Sequence, residues 1–208
     1  MYKIVILLVL STLLFACSED GKLKVINRTA HEVYFSIEGD DYTVAGTDDP
    51  EEPLYISVKL DAGSDFLNTP RKTYPLSITG ETFAIYNDDQ QEIITETVIT
   101  IKGDETTKVY CDPNFACLRI YNDSELDILK AYYTKSYVGN PILITEAENL
   151  PAGESIYKRL QYSLEIAQEP EDIFYYTFQV VMQDSTIYNF GDESTILHLD
   201  DLYEINIQ

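Results

Sequence analysis

Among the residue types that carry chemistry, carboxylates dominate this chain. It has 36 Asp and Glu against 14 Lys and Arg, with 2 His and 3 Cys. A carboxylate pair flanking a sugar linkage is enough for glycoside hydrolysis, but at this density no single pair stands out. The densest run, Asp48-Asp49-Pro50-Glu51-Glu52, supplies the oxygen ligands that Ca²⁺ prefers. It lacks an EF-hand spacing and reads as a solvated loop. Asp40-Asp41 and Asp88-Asp89 read as hairpin ends, where aspartate serves turns. His31 is expected in a turn. His198, between Leu197 and Leu199, is expected on a strand, facing away from the core. The two histidines stand apart, so neither reads as a general base. There is no Gly-x-Ser-x-Gly elbow, phosphate-binding glycine loop or His-Glu-x-x-His motif. The expectation is a protein that is not an enzyme, with no cofactor and no metal. A small hydrolase is the least favoured reading, because no nucleophile–base pair is visible.

Tyrosine is abundant, at 17 residues, and tryptophan is absent. The adjacent pairs Tyr132-Tyr133 and Tyr175-Tyr176 fall in expected strands, so one ring of each pair should point inward and one outward. The outward rings are candidate contacts for a sugar or a protein, set against the ordinary role of tyrosine as a strand former. Asp184-Ser185-Thr186 resembles a bacterial O-glycosylation tripeptide, in an expected hairpin turn. Cys111 and Cys117 bracket Asp112-Pro113-Asn114, a turn-prone run that could bring their ends together. They read as a local disulfide or two thiols, since the spacing is not that of a redox or metal pair and no histidine is near.

The elements that must position these groups are strands. Tyr74, Leu76 and Ile78 alternate with polar or small positions, as do Leu160, Tyr162, Leu164 and Ile166, and Tyr203, Ile205 and Ile207. Period two with β-branched and aromatic residues marks half-buried strands. The chain also repeats itself. Leu23 to Thr29 matches Leu118 to Ser124, and Glu32-Val33 matches Asp127-Ile128 at the same offset. Then Leu60-Asp61-Ala62-Gly63 matches Leu150-Pro151-Ala152-Gly153, and Tyr74 to Ile78 matches Tyr162 to Ile166. Thr82 to Ile85 matches Thr177 to Val180, and Thr97 to Ile101 matches Thr195 to Leu199. Ordered matches of this kind predict two copies of one module. The expectation is an all-β chain of two tandem antiparallel β-sandwiches related by internal duplication, at residues 23–112 and 116–208.

A leader precedes them. Lys3 gives a positive start, Ile4 to Phe15 is almost wholly apolar, and the run ends in Leu14-Phe15-Ala16-Cys17. The stretch is short for a membrane span and has the layout of a secretory signal. It resembles the lipobox of bacterial lipoproteins. The resemblance implies a cleaved signal peptide at residues 1–16, lipid on the Cys17 sulfur and an acylated new N-terminus, palmitate-type chains that anchor stably where one alone would be marginal. Residues 17–22 then form an acidic tether. The repeat and strand pattern together resemble envelope lipoproteins with tandem immunoglobulin-like or transthyretin-like sandwiches, a resemblance that brings no catalytic residues.

The formal net charge of -22 repels phosphate backbones, so nucleic acid is excluded as a partner. It also repels anionic lipid, so the membrane should be held through the acyl chains on Cys17. The expected protein is a lipid-anchored component of the outer membrane, on its periplasmic face or at the cell surface. Its first functional reading is a non-enzymatic protein-binding or structural module. The alternative is a glycan-binding accessory lipoprotein using exposed tyrosines.

Overall fold

The computed structural model describes residues 19–65, 68–87, 92–169 and 171–208. The leader, Cys17 and Asp88-Asp89 lie outside the described residues. The chain is all-β, and the described residues include one 3₁₀ turn, at Thr145–Ala147. It divides into two compact units. The first holds the described residues up to Arg28, Val33–Thr79 and Ile85–Cys111. The second holds Asp112–Gln208 together with two segments from earlier in the chain, Thr29–Glu32 and Gly80–Ala84.

The strands of the first half are β1 (Asp20–Asn27), β2 (Val33–Ile37), β3 (Asp40–Val44), β4 (Leu54–Asp61), β5 (Arg71–Gly80), β6 (Ile85–Asn87), β7 (Glu92–Ile94), β8 (Glu96–Lys102) and β9 (Thr106–Cys111). One sheet has the order β4-β1-β9, the other β3-β2-β5-β8, and β6 pairs with β7. β1 lies antiparallel to β4 and parallel to β9. Alternation makes these strands half-buried. Leu23 and Val25 of β1, Val33, Phe35 and Ile37 of β2, and Tyr74, Leu76 and Ile78 of β5 are buried, while the residues between them turn away. The β2–β3 hairpin closes on Glu38-Gly39, both at positive φ (56° and 89°). That geometry matches the strand twist and needs a residue such as glycine at its second position.

The strands of the second half are β10 (Ala116–Asn122), β11 (Ile128–Lys135), β12 (Ile142–Ile144), β13 (Ser155–Leu160), β14 (Tyr176–Met182), β15 (Ile187–Phe190) and β16 (Leu202–Ile207). Their sheets have the orders β13-β10-β16 and β12-β11-β14-β15. β10 is antiparallel to β13 and parallel to β16. Leu118 and Ile120 from one sheet, and Ala131, Phe178 and Val180 from the other, share one buried cluster. Each unit thus encloses a core between two sheets, in the manner of a β-sandwich.

Strand for strand the two sheet orders correspond, and paired side chains follow. Asn27 and Asn122 each end the central strand of the smaller sheet, and both are fully buried. Each spends its amide nitrogen on two carbonyls: Val44 and Ala45 for Asn27, Leu126 and Leu150 for Asn122. The Tyr74 hydroxyl donates to the Asp61 carbonyl at 2.5 Å, and the Tyr176 hydroxyl to the Gln161 carbonyl at 2.7 Å. These are buried rings whose polar tips need an acceptor.

Several expected matches are corrected by this framework. Residues 162–166 form no strand and Ile166 is 80% exposed. The counterpart of Tyr74, Leu76 and Ile78 is Tyr176, Phe178 and Val180, not Tyr162, Leu164 and Ile166. Phe83 lies after β5, whereas Phe178 lies within β14. Gly63 follows β4 but Gly153 precedes β13. Residues 195–199 are a loop, held by the Thr195 amide on Asp192 and the His198 amide on the Asp201 carboxylate. Short apolar alternation is common in β-rich chains, so matching it over five residues does not secure equivalence.

Candidate functional site

The outer face of the larger sheet in the second unit carries the residues best suited to hold a ligand. β14 alternates Tyr176, Phe178, Val180 and Met182 into the core, which turns Thr177 and Gln179 outward. Register then builds rows across three strands. Tyr132 of β11 stands opposite Gln179, which stands opposite Asn189 of β15, and Thr134 stands opposite Thr177. The Gln179 amide nitrogen donates to the Asn189 side-chain oxygen at 3.1 Å. These residues, with Pro141, Phe178, Phe190 and Gly191, line a concavity of about 300 Å³, at the lower end for small-ligand sites. None of the nine is charged.

Gly191 closes one end of the concavity. It has φ of 75°, and a Cβ there would stand 2.6 Å from the Tyr176 carbonyl oxygen. Only glycine gives both that conformation and that approach.

The first unit has a depression at the corresponding place, with Pro75, Leu76 and Ser77 at the positions of Thr177, Phe178 and Gln179. It is lined also by Ser36, Glu38 and Glu96. Ser77 stands opposite Glu96 where Gln179 stands opposite Asn189. The second unit's concavity thus has aromatic residues and two neutral amides, and the first unit's has carboxylates and no aromatic residue.

Of the four candidate tyrosines, Tyr132 lines this concavity. Tyr133 turns inward, its ring 6.0 Å from that of Tyr176. Its phenol is held above its usual range, first by burial, then by Glu146 and Tyr137. Tyr176 is fully buried, and burial drives its phenol upward too. Tyr175 precedes β14, its amide on the Ser136 hydroxyl and its carbonyl accepting from the Ser136 amide.

Of the two readings of Cys111 and Cys117, a local disulfide or two thiols, the structure has two buried thiols. The intervening run does not close into a turn. The Asn114 and Phe115 amides both donate to the Thr82 carbonyl, and the Asn114 side chain exchanges two hydrogen bonds with the Ala84 backbone. Cys117 faces away from the core residues Ala116 and Leu118, opposite Arg159. Burial raises its thiol to about 12, against a smaller lowering by Arg159.

The segment Gly80–Ala84 is fastened to this second unit by charge and backbone. Arg159 Nε donates to the Gly80 and Phe83 carbonyls at 2.8 and 3.2 Å. Arg119 pairs with Glu81, whose side chain is 2% exposed. Asp200, at φ 70°, takes the Ala30 amide on one carboxylate oxygen and the Thr82 hydroxyl on the other. Its own carbonyl meets His31 Nε2 at 2.8 Å. His31 is therefore part of a structural clasp. His198 Nδ1 lies 3.1 Å from the Ser163 carbonyl.

Asp48 to Glu52 is an exposed loop, in which Asp49 accepts the Glu51 amide and the Thr47 hydroxyl bonds the Asp49 and Glu52 carbonyls. Asp40 and Asp41 open β3. No cluster of three or more His, Cys, Asp or Glu suited to a metal occurs among the described residues. Asp184-Ser185-Thr186 forms the exposed β14–β15 hairpin turn, with the Thr186 amide on the Asp184 carboxylate. Sequence reasoning singled out Tyr132 but missed Gln179 and Asn189. Their only signal was polar residues at the outward positions of an alternating run.

No protein-family model matches the chain, and no curated protein matches it by sequence. Among solved structures it is similar to the Bacillus anthracis TIE protein, at 12% identity and TM-score 0.29 over 91% of this chain. It spans only 34% of that protein's length. It is also similar to a candidate cell adhesion protein from Bacteroides ovatus ATCC 8483, at 10% identity, over 91% of this chain and 92% of that one, TM-score 0.34. A third is the tip fimbrial protein Mfa3 from Porphyromonas gingivalis with C-terminal truncation, at 9% identity over 83% and 81%, TM-score 0.26. At such scores neither partner nor activity passes from those proteins to this chain.

Proposed function

We propose that this is a lipid-anchored envelope protein, attached through acyl chains on Cys17 in the outer membrane, that binds a neutral saccharide in the concavity of its second unit and catalyses no reaction. The observation that carries the ligand class is the row Tyr132–Gln179–Asn189. A sugar offers hydroxyls that both donate and accept, and an apolar face of C–H groups. Neighbouring side-chain amides supply both hydrogen-bond roles, and a tyrosine ring supplies a surface for the C–H face. The lining contains no carboxylate, so the paired acids of glycoside hydrolysis are missing from it. A glycan array probed with the purified chain tests this reading. It should give hits that Tyr132→Ala and Gln179→Ala remove without changing the circular dichroism spectrum. A blank array, or hits untouched by both substitutions, would overturn it.

A protein-binding role is the second reading. It is favoured by β15, an edge strand on which Ile187 and Tyr188 are 53% and 39% exposed. Capture of a partner that Ile187→Lys abolishes, with the array blank, would select it.

A further inference from the structure

We infer that the outer face of the β4-β1-β9 sheet is a docking surface for the anionic phospholipid headgroups of the membrane to which the chain is tethered; the inference rests in part on the Cys17 anchor. Register places three rows of side chains on that face. Lys59, Lys22 and Thr106 form the first, Ser57, Lys24 and Lys108 the second, and Tyr55, Ile26 and Tyr110 the third. Arg28 extends the patch, its guanidinium 4.3 Å from the Tyr110 ring centre, while Lys24 Nζ lies 3.4 Å from that of Tyr55. Five of the chain's 14 basic residues are thus gathered on one face of a protein of net charge -22. Leu23 and Val25, the residues between them on β1, point into the core.

Charge and position together select the occupant. Asp20 pairs with Lys59, and Asp61 beside it pairs with Lys72. Lys22, Lys24 and Lys108 share this face with two half-exposed tyrosines, a combination suited to the headgroup layer, where aromatic rings sit at the interface and basic side chains meet phosphate. Cys17 precedes Asp20 by three residues, a reach of about 10 Å when extended. An anchor there holds β1 beside the bilayer surface. The net charge repels that surface as a whole, whereas this face gathers positive charge.

The test couples the Cys17 thiol of the chain from Cys17 onward, which keeps every described residue, to a maleimide lipid in phosphatidylcholine vesicles with or without phosphatidylglycerol. The native chain lacks tryptophan, so Tyr110→Trp supplies a reporter quenched by brominated lipid. Val98→Trp, on the edge strand β8 of the other sheet and 66% exposed, is the control. Quenching of the Tyr110→Trp indole should rise with phosphatidylglycerol and collapse in high salt, while the control stays unquenched. Each of Lys22→Glu, Lys24→Glu and Lys108→Glu should weaken the docked state by about fivefold or more. Equal quenching at both sites, or no response to lipid charge or to the three reversals, would overturn the inference. Self-association lost in those variants without any lipid response would assign the face to a second copy and overturn it as well. Because coupling is chemical, an unacylated Cys17 in the native protein would remove the natural anchor and leave this readout standing.

Discussion

The Tyr176 hydroxyl donates to the Gln161 carbonyl at 2.7 Å from a ring that is fully buried. The bond fastens the start of β14 in one sheet to the residue that follows β13 in the other. Tyr176→Phe keeps the ring and leaves the carbonyl without this donor, so the loss should be about 1–2 kcal/mol. Tyr74→Phe should behave alike through the Asp61 carbonyl. Urea unfolding of the two variants checks both values, and a change below about 0.3 kcal/mol in each would show the bonds to be incidental.

Stability should fall at alkaline pH. The Tyr176, Tyr133 and Cys117 groups are all raised in the folded state, chiefly by burial. A raised acid is protonated in the fold while the unfolded chain ionises, so the stabilisation is complete below the unfolded values and lost above them. Those values are 10.0 for the phenols and 9.0 for the thiol. Denaturant midpoints should hold from neutral to about pH 9 and then decline, the Cys117 contribution being spent by about pH 12. Cys117→Ala should blunt the onset. A midpoint flat to pH 11 would contradict the burial of these groups.

The same burial makes both cysteines slow to alkylate. Iodoacetamide at neutral pH should leave Cys111 and Cys117 largely unmodified in the native protein and label both on unfolding, since both sulfurs are buried from the reagent and the Cys117 thiolate is also disfavoured by burial. An unreduced peptide joining the two residues by mass spectrometry would contradict the structure.

The second unit should need the segment Gly80–Ala84. Arg159, Arg119 and Asp200 hold it by backbone, ion-pair and hydroxyl contacts. Residues 112–208 expressed alone should therefore unfold at lower urea than they do within the full chain. Glu81→Ala in the full chain should lower the urea midpoint, by removing a buried carboxylate that pairs with Arg119. Independent folding of residues 112–208 at full stability would show the segment to be an ornament.

Gly191→Ala should impair the saccharide site without touching its polar groups. The added methyl meets the Tyr176 carbonyl, and the backbone must leave positive φ. Affinity for any array hit should fall at least tenfold with Gly191→Ala, while Ser77→Ala and Glu96→Ala in the first unit leave it unchanged. Isothermal titration with the hit sugar measures this.

Strands whose core residues alternate were legible from the sequence. Tyr74/Leu76/Ile78 and Ile205/Ile207 sit where alternation put them. The Asn27–Asn122 match was also legible, because a buried amide at a strand end needs the same side chain in both places. Residues 162–166 misled because their alternation is not backed by any pairing partner, and pairing is a long-range property. The Tyr132–Gln179–Asn189 row was hidden for the same reason: its members come from three strands and meet only through register. The lysine face was harder still, since its charges are spaced singly along β1, β4 and β9, one of them paired in parallel across some 80 residues. Local composition averages such charges into a uniformly acidic chain.

The parallel pairing of β1 with β9, and of β10 with β16, has a mechanical consequence. When first and last strands run parallel, a pull on the two ends of a unit drives them past each other along their length. Six residue pairs, from Lys22–Thr106 to Asn27–Cys111, then bear the load together, and six more do so from Cys117–Leu202 to Asn122–Ile207. A hairpin pulled from its open end gives way one bond at a time; strands loaded in shear must break as a set. Each unit is therefore built to resist traction applied at its own ends.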